Sequence, residues 1–110
     1  MADPLPYIAD NLSVDEINQL RGPVVIDFGT DWCEHCQAAQ PLVDAALGNF
    51  PQLAYLKFED GKGRVQGRVF KVKLWPTLIF MRDGTEITRL VRPQSVADID
   101  QALAMIALST

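Results

Sequence analysis

Histidine is nearly missing from this chain: His35 is the only one in 110 residues. Cysteine is almost as scarce, with Cys33 and Cys36 alone. These shortages exclude several readings. Two cysteines make a poor scaffold for a small secreted domain, which usually carries about four or more. A bond across two residues would close too small a loop to restrict the unfolded chain much. One histidine beside two cysteines falls short of a tetrahedral zinc set, so no metal is expected unless two chains share it. Long apolar runs are absent as well: none approaches the roughly 18–20 residues of a membrane helix, and no membrane contact is expected. Positive charge is not in excess. The formal net charge is −4, which disfavours nucleic acid as a partner. The start, Met1-Ala2-Asp3-Pro4, lacks a basic region followed by an apolar one, so a cytoplasmic location is expected. There are no repeats, linkers or low-complexity tracts. A single domain over residues 1–110 is expected, acting as a monomer.

What is present is concentrated. Trp32-Cys33-Glu34-His35-Cys36 holds both thiols and the imidazole. Val24 to Phe28 leads into it and reads as a buried strand, with Asp27 as the anomaly, because burying a carboxylate's charge is costly. From Cys33 onward, Ala39, Leu42, Val43, Ala46, Leu47 and Phe50 recur at helical spacing; Pro41 inside that run should kink it. Tyr7-Ile8 reads as a loose lead-in or short edge strand. Ser13 to Glu16 is a capping box that opens a short helix, which Gly22-Pro23 stops. Leu53–Phe58 reads as a second strand. Residues 61–73 are weakly patterned and fit a short helix. They carry Lys62, Arg64, Arg68, Lys71 and Lys73 with no acid. Thr77–Met81 is apolar throughout and reads as a central strand. Asp83-Gly84 is a hairpin turn to a last strand near 86–91, and Ser95 caps a final helix. Alternating units imply parallel neighbours, with an antiparallel edge from the hairpin.

The chemistry follows from position. A thiolate, not a thiol, attacks a disulfide. Cys33 falls at the first helical turn, where unpaired amides and the helix dipole favour an anion. A protonated His35 adds positive charge there, while Glu34 works against it. Cys36, one turn on, should be the less exposed thiol and the one that resolves a mixed disulfide. It needs a base, and Asp27, with its pKa raised by burial, is the candidate.

These residues resemble the thioredoxin family. The resemblance rests on Asp27-Phe28, Trp32 to Cys36, Pro41, Lys57, Trp75-Pro76-Thr77 and Asp83-Gly84, in matching order over roughly residues 14–108. It implies an α/β thioredoxin fold, with a central mixed sheet of four to five strands and helices on both faces. Cys33 resembles the nucleophile and Cys36 the resolving thiol. Asp27, approached by Lys57 from the neighbouring strand, resembles the buried acid–base pair. Pro76 should be cis, with the peptide unit of Trp75 offering backbone hydrogen bonds to substrate. Trp32, Trp75, Pro76 and Arg92 line the expected substrate surface, Trp32 chiefly by packing over the dithiol. Departures are visible. Glu34-His35 replaces the usual Gly-Pro, and a His before the second cysteine resembles the oxidising members. A potential between about −270 and −120 mV is therefore expected. Gly29 stands where an aromatic is common, Arg92 where a glycine is common, and Trp75 where a smaller aliphatic is common.

The implied function is thiol–disulfide oxidoreduction of disulfide-containing protein substrates through a redox-active Cys33–Cys36 pair. It would need no other cofactor, and a thioredoxin-reductase-like partner would recycle it. A client-binding adaptor or chaperone with little redox turnover is the alternative, motivated by Gly29, Trp75 and Arg92. An oxidase or isomerase of an oxidising compartment is a third.

Overall fold

The strand leading to the cysteines is buried on both faces, which is why its sequence shows no alternation. In the computed structural model, which describes residues 5–9 and 11–107, that strand is β1 (Pro23–Gly29). It pairs in parallel with β2 (Ala54–Glu59) and antiparallel with β3 (Thr77–Arg82). β4 (Thr85–Val91) adds to β3 through the hairpin, giving the order β2-β1-β3-β4. β3 is thus internal. β4 is an edge strand with neither face buried, which explains its poor alternation.

Helices cover both faces. On one, α2 (Glu34–Leu47) and α4 (Val96–Ala107) bring Val43, Ala46, Ile99, Leu103 and Ile106 onto Val25, Leu78 and Phe80. On the other, α1 (Val14–Asn18) and α3 (Val65–Val69) flank a core of Ile17, Val24, Ile26, Phe28, Phe58, Ile79 and Met81. α1 starts at the expected reciprocal cap between Ser13 and Glu16. α2 runs through Pro41 without interruption.

Two expectations change. Among the four strands only β1 and β2 pair in parallel, and β3 runs antiparallel to β1. α3 has only five residues, and the chain re-enters the sheet from the end at which it left. The lead-in near Tyr7 reduces to a single bridge, Ile8 to Phe58, on the outer side of β2.

Candidate active site

β1 delivers Asp27 and Gly29, and a turn through Thr30–Trp32 hands the chain to α2. Cys33 is the N-cap of that helix, in extended conformation, and its Sγ accepts a hydrogen bond from the Cys36 amide at 3.2 Å. Both thiols are free. Both are also buried, Cys33 at 7% exposure and Cys36 at 3%, so Cys33 is less open than its helix-end position suggests. The reason is a roof: Tyr7 clusters with the two cysteines and Trp75 closes against the same cluster. Glu34 and His35 are exposed.

Cys36 faces a buried polar cluster. Burial, and then its hydrogen bond with the Cys33 sulfur, pushes the Cys36 thiol up to about 12, while the Thr30 backbone and the Tyr7 hydroxyl pull the other way. Asp27 is 2% exposed. Its Oδ1 accepts from the Tyr7 hydroxyl at 2.7 Å and its Oδ2 from the Tyr55 hydroxyl at 2.5 Å. Burial raises its pKa to about 6, although both hydroxyls and the charge of Lys57 favour the carboxylate. Burial and the adjacent Asp27 charge keep both tyrosines protonated, so they remain donors.

Lys57 is the register partner of Asp27 on β2. Its ammonium, however, is hydrogen-bonded to the Leu5 carbonyl at 2.5 Å and to Gln40 Oε1 at 2.8 Å, and it lies 4.3 Å from the Tyr7 ring centroid. Tyrosine hydroxyls, rather than the ammonium, occupy the carboxylate's hydrogen-bonding positions. Gly29 explains how Tyr7 fits. A Cβ at 29 would lie 2.5 Å from Cys36 Sγ and 2.9 Å from the Tyr7 hydroxyl oxygen. The aromatic ring beside the dithiol thus comes from the N-terminal segment instead of from residue 29.

The outer rim is built by Trp32, Trp75, Pro76 and Arg92. The Trp75–Pro76 bond is cis and Pro76 is buried. Trp32 is 73% exposed and meets half-buried Trp75 edge-on at 5.7 Å. The Trp75 indole donates to Asp60 Oδ2 at 2.8 Å; Asp60 can approach because Gly67, opposite it, has no side chain. Arg92 holds a left-handed φ of 50°. Its Nε donates to the Trp75 carbonyl at 2.8 Å and its amide to the Pro76 carbonyl at 2.9 Å. The Trp75 carbonyl, expected to face substrate, is thus already paired. Lys62, Arg68, Lys71 and Lys73 surround a depression of about 480 Å³ beside Trp75.

Sequence reasoning overlooked Tyr7, Tyr55 and Gln40. The one available signal was Gly29, a missing side chain beside the dithiol. Among the described residues no cluster of three or more His, Cys, Asp or Glu could hold a metal, and no helix is long and apolar enough to cross a membrane.

Comparison with known proteins agrees with this geometry. Residues 8–105 match the Thioredoxin family. The structure of thioredoxin 2 from Pseudomonas aeruginosa in its reduced form superposes with a TM-score of 0.85 at 48% identity, covering 94% of this chain and 95% of that one. A thioredoxin of Chlamydia trachomatis is 30% identical over 86 residues, 78% of this chain and 81% of its own. Thioredoxin H5 of Arabidopsis thaliana is 30% identical over 81 residues, 74% and 69% of the two chains. A dithiol at a strand–helix junction, a cis-proline across from it and this breadth of match have one explanation: the chain belongs to the thioredoxin family and is a protein-disulfide oxidoreductase.

Proposed function

We propose that the chain is a cytoplasmic disulfide reductase working through Cys33 and Cys36. The observation that carries this reading is the asymmetry of the two sulfurs: Cys33 receives a backbone N–H at the start of α2, and Cys36 lies behind it against the Asp27 cluster. The Cys33 thiolate attacks a substrate disulfide, forming a mixed disulfide and expelling one substrate thiolate. Asp27 accepts the Cys36 proton. The Cys36 thiolate then attacks Cys33 Sγ, closing the Cys33–Cys36 bond and releasing the second substrate thiolate. The substrate leaves with two electrons more and the protein with two fewer. A thioredoxin-reductase-like partner restores the dithiol, and no other cofactor takes part.

Substrate lies over Trp32, Trp75 and Pro76. Arg92 and the lysines beside Trp75 favour substrates with acidic residues near the disulfide, because opposite charges speed encounter. Insulin reduction tests the core of this reading: Cys33→Ser should abolish it, and activity equal to the parent would defeat the assignment. Cys36→Ser should accumulate mixed disulfides with its clients. One observation favours the adaptor reading, namely that Arg92 covers the Trp75 carbonyl, a contact that substrate must displace or bypass. Failure to accept electrons from any thioredoxin reductase would select that reading.

A further inference from the structure

We propose that Tyr7 is a catalytic proton relay between Cys36 and Asp27, and that Gly29 is the opening that admits it. The proposal rests on the reading of Asp27 as the base for Cys36.

Asp27 has no open side. One carboxylate oxygen is bonded to Tyr7 and the other to Tyr55. The cavity of about 400 Å³ under Leu5–Tyr7 is lined by Tyr7, Thr30, Cys36 and Lys57, and Asp27 is not part of its wall. A proton travelling from the thiol to the carboxylate therefore meets a tyrosine hydroxyl first. Tyr55 leads away from the sulfurs, toward Gln40 and Asp44. Tyr7 leads to them. A point at the Gly29 Cβ position is 2.5 Å from Cys36 Sγ and 2.9 Å from the Tyr7 oxygen, so both groups converge on the space a side chain would fill. The Tyr7 hydroxyl is also close enough to favour the Cys36 anion, against the net upward push of burial. It has one proton and two anions to serve.

That is the requirement for a relay. Before resolution Cys36 is a thiol, Asp27 is ionised, and Tyr7 donates to Asp27 Oδ1. The thiol proton passes to the Tyr7 oxygen as the Tyr7 proton passes to Asp27. The products are a Cys36 thiolate, a neutral Tyr7 now donating to sulfur, and a neutral Asp27 acid. No charge is left on the tyrosine, whose surroundings oppose its ionisation. The segment carrying Tyr7 is held at several points. The Tyr7 amide donates to Asp31 Oδ1 at 2.9 Å, Ile8 is bonded on both sides to β2, and the Lys57 ammonium holds the Leu5 carbonyl.

The reduced full chain, mixed with an excess of an aromatic disulfide whose thiol is coloured, should release that thiol in two phases. The first reports Cys33 attack and the second Cys36 resolution. Tyr7→Phe keeps the ring and removes the hydroxyl. We expect an unchanged first phase and a second phase slowed on the order of tenfold or more. Asp27→Asn should slow the second phase as well, and the double variant should be no slower than Asp27→Asn alone, since both changes cut one path. A parental second phase in Tyr7→Phe beside a slow Asp27→Asn would overturn the relay and leave Asp27 as base. Additive slowing would also overturn it, by making Tyr7 independent of Asp27. An unslowed Asp27→Asn would remove the base itself and the relay with it.

Discussion

Cys33 and Cys36 are separated by less than one helical turn, yet their surroundings are assembled at different levels of the fold. The Cys33 sulfur is served by its own helix: the donor it receives comes from three residues away, and any helix beginning there would supply it. The Cys36 sulfur depends on parts brought from afar. Tyr7 reaches Asp27 across 20 residues and Tyr55 across 28, and Lys57 is held to Leu5 across 52. The first environment is secondary structure and should survive most substitutions elsewhere. The second is tertiary, and single changes should dismantle it while leaving Cys33 competent.

The largest such effect should fall on Asp27. Its carboxyl, ordinarily near 3.8, sits at about 6 in the fold, so the folded state holds the proton more tightly than the unfolded one. The resulting stabilisation is complete below about pH 4 and is lost as pH rises toward and through 6, amounting to about 3 kcal/mol. Asp27→Asn should therefore make the protein more stable than the parent at pH 8, with the difference shrinking toward pH 4. Denaturant unfolding of both proteins at the two pH values measures this; a difference that ignores pH would sink the assignment. The stabilised variant should still be slow at the Cys36 step, so stability and function are opposed at this residue.

Gly29→Ala should come next. The added Cβ meets Cys36 Sγ at 2.5 Å and Tyr7 at 2.9 Å, and overpacking of this kind costs about 1–3 kcal/mol. Displacing Tyr7 should slow Cys36 resolution without slowing Cys33 attack. Equal loss in both phases of thiol release would mean that the two environments are not separable. The same residue marks where sequence reading stopped. The dithiol, Asp27, the strand–helix junction and the proline step were legible because each is a local pattern, with its parts within a few residues of one another. The capping box at Ser13–Glu16 was legible for the same reason. Tyr7 was not, because an aromatic in a proline-flanked lead-in carries no periodicity, and its partners lie on β1 and β2. Gly29 could be seen as an absence, but nothing local says which distant side chain fills the gap. The antiparallel β3 was hidden similarly, since strand direction depends on the course of the whole connection from β2 and not on the strand's own composition.

The smallest effect should belong to His35, and it sharpens the Cys33 side of the comparison. His35 lies in the first turn of α2 and is exposed. A positive charge there acts on the Cys33 thiolate through solvent, whereas the Cys36 amide acts by direct contact. Exposed charges are worth under about 1 kcal/mol and 30 mV corresponds to about 1.4 kcal/mol, so His35→Ala should lower the reduction potential by roughly 10–20 mV. Glutathione equilibration of parent and variant measures it. Near 1 M salt the Debye length falls to about 3 Å, and the difference between parent and variant should collapse. A larger drop that persists in salt would show the imidazole touching the sulfur, and Cys33 would then owe its reactivity to a side chain as well as to its helix.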